Sequence, residues 1–428
     1  MSPAAVPENT HNGEQDSNLT AAAIEHRLVE NGTSPNGASN GSSNGAAQPP
    51  NVKELDASKL TYTFTPAPRD VPAPEVHSID GSTVATDHMV TVAWTAKSGW
   101  AAPELRPFGP LSLMPTASVL HYATECFEGL KAYRGYDGQL RLFRPDCNAR
   151  RMISSALRIS LPPFAPAELE KLMVALMAVD GPKWLPRERP GTFLYIRPTL
   201  IGTQSQLGVM APTEALLYII VTRMPVMDAP AGGMRLHTSP DDMVRAWVGG
   251  FGYAKVGANY GPSLLATAEA RARGFGQILW LYGPEGQCTE AGASNFFVVW
   301  KAKDTGKTQV VTAPLDDRLI LDGVTRRSVV QLLRERLAGE VELVERKYTI
   351  AEVQEADDDG RLLEAFAAGT AFFITPVSLI HHRGRDIPIP MGKTGEAGAV
   401  TAQVKNWVGD IMYGRVSHPW GVVVPEEQ

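Results

Sequence analysis

Hydrophobic residues follow two different periods along this chain from about residue 60 onward. Short segments in which apolar side chains alternate or run continuously predict β-strands, and longer segments with apolar residues three or four apart predict amphipathic helices. Pro166 falls in the first turn of one such helix, where proline is tolerated, and Pro162 and Pro163 end the helix before it. Strands are predicted at residues 60–65, 89–94, 192–198, 215–222, 277–282, 295–300, 309–312, 340–347 and 371–380, and helices at residues 145–160, 166–180, 259–273, 325–337 and 350–356.

These elements alternate without the regular strand–helix–strand repeat of a doubly wound sheet. The pattern therefore predicts an α+β fold in two lobes with a ligand cleft between them. Residues 31–50 hold no apolar side chain larger than Ala and are predicted to be disordered, and residues 19–29 are compatible with a short helix. The Pro/Gly-rich segment 224–233 is the predicted boundary. We predict a disordered tail over residues 1–58, a small α/β domain over 59–223, an interdomain loop over 224–233 and a large domain over 234–428.

Composition narrows the class of protein. The 428 residues are 43% hydrophobic and 20% charged, with a net charge of −6 and no long basic run, so we expect neither nucleic acid nor membrane as a partner. Cys126, Cys147 and Cys288 are scattered without a CxxC pair, which argues against a disulfide framework and a zinc site, and we expect no metal. Acidic residues precede Arg27, the first basic residue, unlike a mitochondrial presequence. We expect a cytoplasmic protein.

Two charged residues, each among small and mostly uncharged neighbours, are candidates for a catalytic role. Lys255 lies in the run YAKVGANY, and Glu290 lies in TEAGASN. A pyridoxal phosphate enzyme needs a lysine that forms a Schiff base with the cofactor and a carboxylate that keeps the pyridine nitrogen protonated. Taken alone, a lysine among Gly, Ala and Val is more often a loop or surface residue.

Such a site also needs an anion cradle. Gly323 precedes the predicted helix at 325–337, and the first amides of a helix point at whatever lies ahead of them. Gly369-Thr370-Ala371 is a second turn of small residues with a hydroxyl. On spacing alone, an ordinary turn or helix cap is the better interpretation of either segment.

Arg197 interrupts an apolar strand in the run YIRP, and a buried guanidinium needs partners. One interpretation is an ion pair with a neighbouring carboxylate, and the other is a strand face that lines a substrate pocket. The residues themselves do not decide between the two.

The motifs taken together, in their order along the chain, indicate a family more specifically than any one of them does. Between about Leu60 and Tyr413 the chain resembles the branched-chain amino acid aminotransferases, pyridoxal phosphate enzymes of fold type IV, with the two-domain architecture of D-amino acid aminotransferase and the cofactor between the domains. The segments that carry the resemblance are HY…FEG at 121–129, RLFRP at 141–145, YIRP at 195–198, LGV at 207–209, RAWVGG at 245–250, K…GANYG at 255–261, QILWLYG at 277–283, TEAG at 289–292, GVTRR at 323–327 and GTA at 369–371.

The resemblance implies roles for individual residues. Lys255 corresponds to the Schiff-base lysine and proton carrier, Glu290 to the partner of the pyridine nitrogen, and Tyr260 to the partner of the phenolic oxygen. The remaining cofactor contacts implied are Arg151, Val324, Thr325 and Thr370 at the phosphate and Leu321 against the ring. The implied substrate contacts are Tyr122, Phe127, Tyr195, Arg197, Leu207, Val209, Ala293 and Ala371. Leu207 and Val209 correspond to a loop that reaches the other subunit's pocket in the family, which implies a homodimer.

The implied reaction is a ping-pong transamination between L-leucine, L-isoleucine or L-valine and 2-oxoglutarate, yielding branched-chain 2-oxo acids and L-glutamate. A D-amino acid aminotransferase, an aminodeoxychorismate-type lyase, a non-catalytic relative and a specialist for an unusual aliphatic amino acid are the alternatives. The YIRP and RAWVGG segments favour the branched-chain class over the first two, and the intact set of Lys255, Glu290, Tyr260 and Thr325 argues against a non-catalytic relative.

The chain departs from the animal members of the family at two places. Ala293 and Ser294 stand where those members often have Thr-Met, so a hydroxyl contact to the cofactor is expected to be lost or supplied by Ser294. Phe372 and Thr375 stand where those members carry a redox CxxC pair, so we expect no thiol switch there. The bulk of Phe372 is expected beside the pocket.

Overall fold

The computed structural model describes residues 52–73, 75–225, 230–371 and 373–426. The predictions of disorder at 31–50 and of a short helix at 19–29 lie outside these residues, as does the expectation for Phe372. Among the described residues, no helix has the length and apolar character needed to cross a membrane.

The first sheet is mostly antiparallel and contains ten of the strands, which we number β1–β21 in chain order. Its main path runs β1-β6-β4-β11-β10-β8-β9-β21, with β5 on β4 and β7 on β10. Its last strand comes from the C-terminus, although the sequence placed those residues in the second domain. The strands are β1 (Thr61–Tyr62), β4 (Ala85–Thr95), β5 (Gly99–Trp100), β6 (Glu104–Pro107), β7 (Glu125–Phe127), β8 (Leu130–Arg134), β9 (Leu140–Phe143), β10 (Phe193–Gly202), β11 (Glu214–Thr222) and β21 (Gly421–Val423); β2 (Ser78–Ile79) and β3 (Ser82–Thr83) form a separate hairpin.

The second sheet is mixed and has nine strands. β14 pairs with both β13 and β15, so that β14-β13-β12-β19-β18-β15 closes on itself. The strands are β12 (Met234–Thr238), β13 (Gln277–Tyr282), β14 (Gln287–Ala291), β15 (Ser294–Lys301), β16 (Thr308–Thr312), β17 (Glu342–Glu345), β18 (Leu362–Ala368), β19 (Ile374–His382) and β20 (Arg385–Pro388).

Helices cover these sheets. They are α1 (Val119–Tyr122), α2 (Pro145–Arg158), α3 (Pro166–Trp184), α4 (Leu264–Ala272), α5 (Val324–Arg336), α6 (Ile350–Asp358) and α7 (Ala399–Met412). α2 and α3 both begin at a proline, as predicted, and their apolar faces pack with the first sheet in one core. α3 continues past the predicted residue 180 to Trp184, and Asp180 within it is buried and binds His88 of β4.

Several predicted bounds were wrong. The strand expected at 60–65 forms only over Thr61–Tyr62. The helix expected from 259 begins at Leu264, because Gly261 and Pro262 form a separate 3₁₀ turn before it. The strand expected from 371 begins at Ile374. β18 and α7 were not predicted, and both pack in the core of the second sheet.

Candidate active site

A cavity of about 380 Å³ lies between the two sheets. Thirteen of the sixteen residues to which the sequence gave a site role line it. Those thirteen are Arg151, Lys255, Tyr260, Glu290, Leu321, Val324, Thr325 and Thr370 from the cofactor set and Phe127, Tyr195, Arg197, Ala293 and Ala371 from the substrate set.

The Lys255 segment is anchored on the first domain by its backbone. The Lys255 amide donates to Ser155 Oγ of α2 at 2.7 Å, and its carbonyl accepts from the amide of Phe127 at 3.1 Å. The side chain is then free to enter the cavity, where Nζ donates to the Tyr260 hydroxyl at 3.0 Å. Nζ also lies 4.9 Å from the centre of the Phe127 ring. The amine is thus held between a hydroxyl and an aromatic face.

Glu290 ends up buried because β14 is an interior strand. Its Oε1 accepts from the Leu321 amide at 3.1 Å and from Asn295 Nδ2 at 3.2 Å, and its Oε2 lies 2.6 Å from Arg245 Nε. Burial raises the pKa of Glu290, while Arg245 and the Leu321 amide act in the opposite direction. A carboxylate in this setting favours a cationic partner within the cavity.

The start of α5 lines one side of the cavity. No side chain caps α5, and a Cβ on Gly323, the residue before it, would lie 2.0 Å from Asn295 Oδ1. Arg151 is fixed beside this turn, because its Nη1 donates to the Asp322 carbonyl at 2.9 Å. The amides of a helix start and a guanidinium together form a site for a phosphate group.

Glu128 orients Arg151. Its two carboxylate oxygens accept from Arg151 Nε and Nη2, both at 2.7 Å, and Asn148 Nδ2 donates to it at 2.8 Å. Glu128 has no exposed surface. Burial works against the charge on Arg151, yet the contact with Glu128 outweighs it and raises the pKa of Arg151.

Two hydroxyls link the turns of the second domain around this cavity. Thr325 Oγ1 donates to the Gly369 carbonyl at 3.3 Å, and Thr370 Oγ1 donates across the cleft to the Gly129 carbonyl at 3.4 Å. Lys131 Nζ also crosses the cleft and donates to the Ala371 carbonyl at 3.2 Å. The cavity wall therefore depends on contacts between the two sheets.

Arg197 forms the polar part of the opposite wall. Its Nη2 donates to the Tyr195 hydroxyl at 2.9 Å, and its guanidinium lies 4.5 Å from the centre of the Phe127 ring. Within the described part of the chain, its Nε is buried without a partner and no carboxylate lies within ion-pair distance. Of the two interpretations left open by the sequence, the geometry favours the pocket wall over the structural ion pair.

Three predicted substrate residues lie away from this cavity. Tyr122 belongs to α1, and its hydroxyl accepts from the Gly208 amide at 2.9 Å. Leu207 and Val209 flank that glycine, and the Val209 side chain is 91% exposed. The three residues share one surface loop region instead of lining the cavity of their own chain.

Sequence reasoning assigned no role to Glu128, Asn148, Arg245 or Asn295, which hold the predicted residues in place. Glu128 and Arg245 lie within the quoted motifs, but nothing in their spacing shows which side chains they meet. Ser294, the expected substitute for a missing hydroxyl, lies against Gly369, where an added Cβ would be 2.5 Å from Ser294 Oγ.

Comparison with known proteins agrees with this arrangement. Residues 125–380 match the family model described as amino-transferase class IV. The chain is 48% identical over 366 residues to the mitochondrial branched-chain-amino-acid aminotransferase of Saccharomyces cerevisiae, covering 85% of this chain and 92% of the relative. It is 45% identical over 375 residues to the cytosolic enzyme of the same yeast, covering 87% and 98%.

A solved structure shows the same fold. The branched-chain amino acid aminotransferase from Thermobaculum terrenum in its PLP form superposes with a TM-score of 0.60 at 25% identity, covering 78% of this chain and 98% of that one. A family match over more than half of the chain, with relatives above 40% identity, confirms the resemblance found in the motifs. This chain belongs to the class IV aminotransferase family.

Proposed function

We propose that this chain is a pyridoxal phosphate-dependent transaminase that exchanges the amino group between L-leucine, L-isoleucine or L-valine and 2-oxoglutarate. The observation that carries the proposal is the single cavity in which Lys255 Nζ, the Tyr260 hydroxyl, the buried Glu290 carboxylate and the uncapped start of α5 all meet. Relatives named as branched-chain aminotransferases support the substrate class.

The residues present fit pyridoxal phosphate. Glu290 would bind the ring nitrogen, because its buried Oε2 has no hydrogen-bond partner among the described residues, and Tyr260 would bind the phenolic oxygen. The phosphate would take the amides of Val324 and Thr325, the hydroxyl of Thr370 and the guanidinium of Arg151, with Leu321 packed against the ring. When bound, the cofactor supplies an electron sink for the bonds at the substrate α-carbon.

The chain's own residues would then do four things. Lys255 Nζ would hold the cofactor and, as a free amine, would take a proton from the substrate α-carbon. Tyr260 holds that amine at hydrogen-bond distance. The aromatic ring of Phe127 and the apolar wall exclude water. In the second half-reaction, Lys255 returns a proton to the α-carbon of the incoming 2-oxo acid.

One pocket must accept both an aliphatic side chain and a γ-carboxylate. The Phe127 ring offers an apolar surface for leucine, isoleucine or valine. Arg197 lies on the same wall and has donors to spare for a carboxylate. We infer that the aliphatic group and the γ-carboxylate use neighbouring parts of this wall.

We also infer a cytoplasmic homodimer in which Tyr122, Leu207 and Val209 complete the partner's pocket. An apolar side chain that is 91% exposed, as Val209 is, has a reason to exist if a second copy covers it. The two yeast relatives occupy different compartments, so a fluorescent fusion must test the location. Sedimentation of a Val209→Asp variant tests the dimer, which is expected to dissociate and lose activity together.

Absorbance spectroscopy of the purified protein tests the main proposal. The visible band of the lysine-bound cofactor should disappear on addition of L-leucine and return on addition of 2-oxoglutarate. Lys255→Ala should abolish both changes, and Lys307→Ala, at an exposed lysine, should leave them intact. A band that responds only to a D-amino acid would refute the substrate class, and no band after addition of pyridoxal phosphate would refute the enzyme.

A further inference from the structure

Arg245 is a cation that the reaction described above does not use. It lies ten residues before Lys255, in the segment that connects β12 to the 3₁₀ turns ahead of α4. Its Nη1 donates to the Leu319 carbonyl at 3.1 Å, and its Nε lies 2.6 Å from Glu290 Oε2. The side chain is 11% exposed. The segment that carries the lysine thus also reaches the carboxylate.

The two oxygens of Glu290 have different partners. Oε1 is held by two neutral donors, the Leu321 amide and Asn295 Nδ2. Asn295 is itself fixed, since its Nδ2 also donates to the Leu321 carbonyl at 2.8 Å. Among the residues that the structure describes, Oε2 has no hydrogen-bond partner, and Arg245 is the only cation within ion-pair distance of it. Arg245 is therefore the group that meets the charge of Glu290 directly.

Glu290 also lines two cavities. One is the lysine cavity, and the other, of about 450 Å³, is lined in addition by Arg245, Arg271, Gln277 and Trp280, none of which lines the first. Arg245 approaches the carboxylate beside this second cavity. The carboxylate is thus placed between a protein cation on one side and the cofactor position on the other.

We propose that Arg245 is a positioning residue that keeps the Glu290 carboxylate ionised and oriented, so that the proton shared with the cofactor's ring nitrogen stays on the nitrogen. The inference rests on the proposed function, which places that nitrogen at Glu290. It identifies a determinant of the cofactor's electronic state outside the set of residues that touch the cofactor.

Arg245 favours the protonated ring because it lies closer to the carboxylate than to the ring nitrogen. A proton between a carboxylate and a pyridine nitrogen can reside on either, and burial of the pair favours the neutral arrangement. Arg245 lies 2.6 Å from a carboxylate oxygen, and the nitrogen must lie beyond that carboxylate. Because Coulomb interactions fall with distance, the guanidinium stabilises the carboxylate anion more than it repels the ring cation. The balance moves toward the protonated ring.

The test is the ¹⁵N chemical shift of the ring nitrogen, measured on protein reconstituted with ¹⁵N1-labelled pyridoxal phosphate at neutral pH. Arg245→Gln should move the shift toward that of unprotonated pyridine and lower kcat about tenfold or more, with little change in KM. Arg245→Lys keeps the charge and should restore the protonated shift. Arg271→Gln removes a cation from the same second cavity without a contact to Glu290, and should match the unmodified protein.

Two results would overturn the proposal that Arg245 keeps Glu290 ionised. An unchanged shift in Arg245→Gln would overturn the proposal and leave Arg245 as a structural tie to Leu319. If that variant does not retain cofactor, Arg245→Lys carries the test, and an unprotonated nitrogen there would overturn the proposal. Failure of the proposed function is distinguishable, because unmodified protein would then bind no labelled cofactor or would give the same shift as Glu290→Gln.

Discussion

Gly129 has no side chain, and Tyr195, whose hydroxyl accepts from Arg197, occupies the space that this leaves. A side chain at residue 129 should therefore lower activity on L-glutamate more than activity on L-leucine. A Cβ at Gly129 would lie 1.9 Å from the Tyr195 hydroxyl oxygen and 2.8 Å from Cζ. To reach ordinary contact at 3.4 Å, the Tyr195 ring must move by about 1.5 Å. That shift would break the 2.9 Å bond between Arg197 Nη2 and the Tyr195 hydroxyl.

The size of the effect follows from the bond that is lost. A hydrogen bond with one charged partner contributes about 1.5–3 kcal/mol. Since 1.4 kcal/mol is a factor of ten, kcat/KM for L-glutamate in Gly129→Ala should fall by about 10- to 150-fold. L-leucine depends on the Phe127 surface and should lose much less. The substitution keeps the Gly129 carbonyl, which accepts from Thr370 Oγ1.

Steady-state kinetics with both donors measures this difference. Gly109→Ala is the matched control, because a Cβ there meets nothing within 4 Å and both donors should retain full activity. Equal losses for L-glutamate and L-leucine in Gly129→Ala would refute the assignment of Arg197 to the γ-carboxylate. An unchanged protein would refute the argument that the glycine is needed for close packing.

Two further variants test the buried ion pairs. Glu426→Gln should lower the free energy of unfolding by about 2 kcal/mol at pH 7, because Glu426 binds Arg134 through both oxygens at 2.7 Å. The bond to Arg134 lowers the pKa of Glu426, so the difference in unfolding free energy between variant and native protein, measured in urea titrations, is full above about pH 4.3 and disappears as the pH falls through the lower folded-state pKa. A pH-independent difference would contradict this reasoning. The control is Asp410→Asn, in an exposed pair, which should change stability by less than about 1 kcal/mol. Glu128→Gln should destabilise the cofactor-free protein by about 3–5 kcal/mol, because it leaves Arg151 buried without its counter-charge. Saturating pyridoxal phosphate should recover part of that loss by supplying another anion, and an equal loss with and without cofactor would exclude Arg151 from the phosphate site.

Local patterns predicted those elements whose signals are themselves local. The start of α2 at Pro145 and the whole of β13 were predicted correctly, because a proline in the first turn and a short apolar run report directly on the backbone. β18 was missed because its sequence, LLEAFAA, consists apart from Phe366 of residues that favour helices. It becomes a strand only because β15 and β19 lie on either side of it.

The residues of the candidate site show the same difference between local and distant signals. Lys255 and Glu290 could be singled out because each is a charge among small residues. The groups that orient the site could not, because their partners are distant in sequence: Glu128 meets Arg151 of α2, and Arg245 meets Glu290 of β14. Sequence motifs predicted which residues touch a cofactor, and only the three-dimensional contacts identify those that hold these residues in place.

The pairing of β21 with β9 has a consequence for synthesis of the protein. β9 (Leu140–Phe143) is translated well before Gly421–Val423, the strand that covers its outer edge. Until then the strand presents unpaired amides and carbonyls, which are a template for wrong partners. Completion of the first sheet, and of the cleft it shares with the second, must therefore wait until Gly421–Val423 have been synthesised.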